Sequence, residues 1–286
     1  MSRGGDTREA EPRVERRATS ATTRDQRAPT RTTPPSRPIR LPRGPERELV
    51  VTRDRAYRVR GAEVQTLAAA GTFRAVSAYD LAEFVYRRDR AQANRDIAHL
   101  RAQQLVTTRT NMHDRRHGRS TYVALTHAGR RLLEASDLGH SRTERIGGQR
   151  FYHGWVKPAE LRHDAALYRM VEMERRTLGQ EGARVLRVTI DADLKRDVAK
   201  ALAGPRRPTA AQKEEVAEKL GLRVVDGKIQ IPDVRLEVEH ADGRHEERDL
   251  ELVTEHYRRA HLAAKTGCRC YVVGPDPHIV SRMLDV

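Results

Sequence analysis

Cysteine is nearly absent: Cys268 and Cys270 are the two in 286 residues. With one residue between them a mutual disulfide is disfavoured geometrically, so a disulfide scaffold is excluded and a reducing cytoplasm is expected. No apolar run reaches the ~18 residues of a transmembrane helix, and the first residues hold no apolar stretch of a secretory leader. A cytoplasmic chain with no membrane partner is the expectation. No Gly-rich phosphate loop occurs, which disfavours ATP-driven work, and no Ser/His/Asp or Cys/His set stands out for nucleophilic catalysis. Lysine is missing until Lys157, and 7 lysines stand against 48 arginines. A GC-rich coding sequence would impose such a bias, so the sign of the charge carries meaning while the choice of Arg over Lys says little.

What the chain has in excess is positive charge: 55 Lys+Arg against 40 Asp+Glu, a net +15 at pH 7. That balance favours a polyanionic partner, nucleic acid well before an anionic membrane surface. The excess is uneven. Residues 1–48 hold 12 Arg and 7 acids (net +5), residues 49–147 hold 18 Arg and 10 acids (net +8), and residues 148–286 hold 25 bases and 23 acids (net +2). The length predicts one large or two ordinary domains. Residues 1–48 are rich in Arg, Thr, Ser, Ala and Pro, with Pro34, Pro35, Pro38, Pro42 and Pro45 closely spaced and no apolar period. They read as a disordered basic arm, for which electrostatic scanning of DNA and an idle solvated tail fit equally well.

Residues 49–137 have the texture of a folded domain. Val64, Leu67 and Ala68 give helical spacing closed by Gly71, and Ser77 to Asp80 offer an N-cap before Leu81, Phe84 and Val85. A third helix is expected over about 90–104, with Ala93, Ile97, Leu100 and Gln104 on one face. Strands over 105–112 and 120–125 flank a tip from His113 to Gly118, and Thr126 opens a helix carrying Leu132 and Leu133. The order helix, helix, helix, hairpin, helix, with Thr121 to Leu133 running from strand into helix, resembles a winged helix-turn-helix domain. The third-helix face opposite Ile97 and Leu100 would carry Arg88, Gln92, Arg95 and His99, among them side chains able to read base edges in a major groove. The wing would add Arg109, Arg115, Arg116 and Arg119 for phosphates or a minor groove. The competing reading is a solvated helix face on a protein-docking module. His113 and His117, four apart without further ligands, are expected to face solvent.

Residues 138–150 read as a Gly-rich linker, and residues 151–286 as a second, α/β domain. It opens with a helix over 161–178, with Leu161, Ala165, Tyr168 and Val171 inward. A strand over 184–190 follows, then helical pieces over 193–203 and 209–220, split by the segment from Gly204 to Pro208. Two long strands, 228–239 and 244–253, precede a helix over 255–266 and a strand over 268–273, in which Cys268 and Cys270 are expected to serve packing. The register of the long strands can be argued from alternation. A two-residue turn sets Glu251 opposite Val234 and mixes polar with apolar positions on each face. A three-residue loop, Ala241 to Gly243 with Gly243 left-handed, pairs His240 with Arg244, Arg235 with Asp249 and Asp233 with Glu251. Val234, Leu236 and Val238 then share the other face with Leu250 and Leu252. Two adjacent carboxylates repel unless a proton or cation intervenes, which is how a Mg²⁺ site for phosphodiester hydrolysis is built. Glu255 and Glu172 are candidates to complete it. A solvated strand face balanced by Arg235 is the competing reading.

The order helix, strand, Ile231-Pro-Asp233, hairpin, Asp249-Leu-Glu251, helix and strand resembles the PD-(D/E)xK, restriction-endonuclease-like core. The whole chain, a winged helix followed by such a core, resembles the plasmid replication-relaxation family over roughly residues 55–275. His163 to Tyr168 is similar to that family's opening helix with its histidine, and Asp249 to Tyr257, with Lys265 downstream, to its later acidic block. The resemblance implies duplex DNA as partner, a relaxase or replication protein as a second partner, and a role in plasmid or mobile-element replication and transfer. It also implies Asp233 and Glu251 as metal ligands, and a lysine at position 253. This chain has Val253, and Lys265 lies ten residues beyond Glu255, about 15 Å along a helix at 1.5 Å per residue. A catalytically degenerate second domain is therefore expected. The alternatives are a Mg²⁺-dependent DNA nuclease using Asp233, Glu251 and Lys265, and a transcription regulator whose second domain senses a ligand or forms a homodimer.

Overall fold

The computed structural model describes residues 38–111, 120–139, 148–204, 207–253, 267–274 and 280–282. The fold is α+β. Its first hairpin, β1 (Glu48–Val51) with β2 (Ala56–Val59), has no counterpart in the sequence expectation. Three helices follow, α1 (Gly61–Thr72), α2 (Ala78–Phe84) and α3 (Arg90–Ala102), then β4 (Val106–Asn111), β5 (Ser120–Leu125) and α4 (His127–Glu134). The short strand β3 (Val76–Ser77) joins the hairpin in a three-stranded antiparallel sheet ordered β3-β5-β4.

Most of these helices start where the sequence supplies a cap. Ser77 accepts from Tyr79 N–H, Asp89 from Gln92 N–H and Thr126 from Gly129 N–H, each satisfying one of the donors a helix leaves open. Two boundaries differ from the sequence reading. Gly71 does not stop α1 but lies in its last turn, buried against Leu125 and Phe151. Gln104 does not lie on α3: it follows the C-cap Gln103, left-handed at φ 61° and exposed. The segment 38–48, expected within the arm, docks instead on the domain. Leu41 is buried, and Ile39 exchanges backbone hydrogen bonds with Ala135 and Asp137 at 2.9 and 3.1 Å.

The C-terminal half begins with α5 (Leu161–Gln180), followed by β6 (Arg184–Ile190), α6 (Asp191–Ala201) and α7 (Ala210–Lys219). Next come the small hairpin β7 (Arg223–Val225) and β8 (Lys228–Gln230), then β9 (Val234–Glu239), β10 (His245–Val253), β11 (Arg269–Val273) and β12 (Val280–Arg282). Five strands form one sheet ordered β12-β11-β10-β9-β6, antiparallel throughout except for β10 beside β11. The long strand expected from Lys228 is broken at Ile231-Pro-Asp233. Pro232 has no N–H to give a ladder, so β8 pairs with β7 and only β9 enters the large sheet. Helix α5 is buried without interruption from Asp164 to Val171, as expected of a helix covered on all sides. The apolar core is continuous from Leu41 through Leu67, Leu125 and Phe151 to Leu167, Leu236 and Val280. No described helix is long and apolar enough to cross a membrane.

Candidate functional site

Two places gather polar side chains that packing alone does not require. The first is the outer side of α3. Two fully buried carboxylates hold α3 against α1: Glu63 on α1 and Asp96 on α3. Arg47 donates to both, at 2.8 Å to Glu63 and 2.9 Å to Asp96, and Arg60 donates to Asp96 at 2.6 Å. His99 Nδ1 lies 2.8 Å from Glu63, and Gln92 donates to Asp96 at 2.7 Å. This network sets the rotation of α3. Ala93, Asp96, Ile97 and Leu100 point inward, while Arg90, Ala91, Asn94, Arg95, Ala98, Arg101 and Ala102 are exposed.

The residues expected to form one reading face are therefore divided. Arg95 is exposed and donates to Gln92 at 2.7 Å. Gln92 and His99 are half-buried and turned to the α1 network. Arg88 is not on α3 at all: it precedes the N-cap Asp89, is left-handed at φ 72°, and pairs with Glu83 at 3.1 Å. Arg109 on β4 is exposed, its guanidinium 4.7 Å over the Trp155 ring. Arg115, Arg116 and Arg119 lie outside the described residues, as do His113 and His117. The exposed Asn94 and Arg101 were missed because Asp96, being charged, reads as a surface residue; treating it as buried turns the outward face toward Asn94 and Ala98.

The second place is the end of the large sheet where the inner strand β9 begins. The observed register is that of the three-residue loop: Asp249 faces Arg235, Leu250 faces Val234, and His240 N–H donates to Arg244 C=O at 2.9 Å, with Gly243 at φ 80°. Asp233 and Glu251 meet as the alternation implies. Asp233 N–H donates to Glu251 Oε2 at 3.3 Å, and Asp233 Oδ2 accepts from Leu252 N–H at 2.8 Å. His163, at the start of α5, places Nε2 3.9 Å from Asp233 Oδ1. Arg235 is bidentate to Asp249, at 2.7 and 2.9 Å, and its Nη2 also donates to Gly221 C=O.

Glu172 does not join this corner. It stands nine residues beyond His163, about 14 Å along the helix, pairs with Arg175, and is held above the usual carboxylate range by burial. Glu255 and Lys265 lie outside the described residues. One oxygen each of Asp233 and Glu251 is engaged by backbone N–H groups, and the described residues contain no cluster of three or more His, Cys, Asp or Glu able to hold a metal. Val253, where the nuclease pattern has lysine, is buried in β10.

On the opposite face of the same sheet, Glu174 of α5 receives Arg248 at 2.6 Å, Arg269 at 2.7 Å and the Tyr271 hydroxyl. Against the upward push of burial, Tyr271 and Arg248 hold the Glu174 carboxyl below the usual carboxylate range. This charged cluster is enclosed between helix and sheet and is structural. Cys270 is buried on β11 in register with Glu251, while Cys268 precedes the strand and is half-exposed. No family model and no curated protein matches the chain.

Proposed function

We propose that the chain is a DNA-binding protein of the replication-relaxation type, with residues 49–137 acting as a winged helix-turn-helix and residues 151–286 as a restriction-endonuclease-like domain that does not cleave. The observation that carries this reading is the outer face of α3. Asn94, Arg95 and Arg101 surround Ala91, Ala98 and Ala102, so long hydrogen-bonding side chains rim a strip of methyl groups. Small residues let a helix approach a groove floor. Asn and Arg make bidentate contacts to adenine and guanine, and an alanine methyl can meet that of thymine. The sheet β3-β5-β4 beside α3, with a positively charged strand in Arg109, supports a wing that holds phosphates. For the second domain, the meander β6-β9-β10 with β11 parallel to β10, preceded by α5, supports the nuclease-like core on which the resemblance rests. A relaxase or replication protein and a second copy of the chain are the partners that reading brings.

The test is duplex binding by the full chain, followed by fluorescence anisotropy on a site selected from a random pool. Arg95→Ala and Asn94→Ala should each cost about 1–3 kcal/mol on that site and relax its sequence preference. Unchanged affinity and preference in both variants would sink the assignment. The convergence of Asp233 with Glu251 favours a second reading, a Mg²⁺-dependent nuclease. Nicking of supercoiled plasmid that is lost in both Asp233→Asn and Glu251→Gln would establish it over the first.

A further inference from the structure

A cleft of about 580 Å³ opens between α2, the start of α3 and the outer side of α5, lined by Tyr79, Glu83, Phe84, Arg88, Arg90 and Arg176. Its floor is closed by a buried bidentate pair, Arg169 to Asp80 at 2.8 and 2.9 Å. That arginine is fully committed. The two at the rim are not. The Arg90 guanidinium lies 4.6 Å over the Tyr79 ring, and the Arg176 guanidinium 4.6 Å over the Phe84 ring. Both residues are exposed, and among the described residues neither forms an ion pair with a carboxylate. A guanidinium held over an aromatic ring by cation–π attraction keeps N–H groups open, which suits it to a phosphate oxygen pair. The turn feeding the cleft adds to this. Arg87 and Arg88 are successive non-glycine residues in the left-handed region, at φ 51° and 72°, and both side chains project to the surface. The turn closes the end of α2, where Arg88 N–H donates to Ala82 C=O at 2.8 Å, and it brings Arg88 to the lining of the cleft.

We infer that this cleft holds the phosphodiester backbone of the duplex beside the α3 contact, so that α5 of the second domain grips the same DNA as the first. The inference rests on the DNA-binding reading above and adds to it a contact from a helix outside the winged-helix segment. Continuity favours the backbone of a long polyanion over a small anion: Arg90 both lines the cleft and begins the exposed face of α3, so one chain of phosphates can pass from one to the other. The contact is sequence-independent, as phosphate contacts are.

The experiment measures duplex affinity of the full chain against salt for wild type, Arg176→Ala, Arg176→Gln, Arg90→Ala and Arg95→Ala. Arg176 is exposed on α5, and thermal unfolding checks that its variants fold like wild type. Arg176→Ala and Arg176→Gln should weaken selected and unrelated duplexes by the same factor and lower the salt slope by about one. Arg90→Ala should do likewise. If the Arg176 and Arg90 variants keep wild-type affinity and slope while Arg95→Ala loses affinity, the cleft assignment fails and the DNA-binding reading stands. If wild type binds no duplex, both fall. Inorganic phosphate is the control. Should it raise the unfolding temperature of wild type but not of Arg176→Ala, with duplex binding unaffected by the substitution, the cleft is a small-anion site and the backbone assignment is overturned.

Discussion

Asp164 is buried at the start of α5, where Arg74 donates to one carboxylate oxygen and the other, Oδ2, has no hydrogen-bond partner among the described residues. Burial pushes its carboxyl up to about 6, against the opposing pull of Arg74 and His163. In the unfolded chain the group ionises near 3.8, so between the two values the folded state holds a proton that the unfolded state releases. The stability this contributes is complete below about pH 4 and is lost as pH rises through about 6. Asn at this position imitates the protonated acid at every pH. Relative to Asp164→Asn, wild type should lose about 2–3 kcal/mol between pH 4 and pH 7, read from urea unfolding at several pH values. Parallel curves would show that the buried carboxyl titrates as it does in water. Buried charge is also where sequence reasoning lost its hold. Asp96 and Glu63 are fully buried, yet nothing in residue type separates them from solvated acids. Their partners Arg47 and Arg60 lie in or next to segments that periodicity does not describe. Gln92 and His99 were assigned to the outer face for that reason, although they line the network.

At the scale of elements, the β9–β10 hairpin was legible because one face of it is apolar. Shifting the register by one residue would send Val234, Leu236 and Val238 to the polar face, so alternation alone selects the loop from Ala241 to Gly243. The strands β1, β2, β3 and β12 were not legible. They are two to four residues long, too short to show a period, and their pairing is decided by neighbours distant in sequence. Helix α4 was legible, while the reason for its glycine was not. A Cβ on Gly129 would lie 2.2 Å from the backbone oxygen of Leu105, the residue that leads into β4. Backbone atoms cannot swing aside as a side chain can. Gly129→Ala should therefore cost at least about 1–3 kcal/mol, in spite of alanine's better helix propensity. Gly179 on α5 has open space at the same position, and Gly179→Ala should stabilise by about 0.5–1 kcal/mol. Opposite signs in thermal unfolding would bear out the packing argument, and two gains would refute it.

For the whole molecule, the distribution of charge and the extent of the core pull the N-terminal boundary in different directions. Composition places residues 1–48 in one arm, but the core begins at Leu41 and the network around α3 needs Arg47. Residues 1–37 carry 9 Arg and 5 acids, a net +4, with no apolar period. Residues 38–48 supply a buried leucine, the Ile39 hydrogen bonds to the segment following α4, and the guanidinium between Glu63 and Asp96. Two truncations separate these roles. A chain starting at Pro38 should unfold at the temperature of the full chain and bind duplex DNA more weakly at low salt, with the difference fading as screening shortens to about 10 Å near 0.1 M. A chain starting at Leu49 loses the burial of Leu41 and leaves two buried carboxylates short of a cation, a cost on the order of 5 kcal/mol. That is much of the stability of an ordinary domain, so this chain should melt far lower or fail to fold. Equal unfolding temperatures for all three would mean that residues 38–48 rest on the surface without holding it together, and the network around Asp96 would then owe its stability to Arg60 and Gln92 alone.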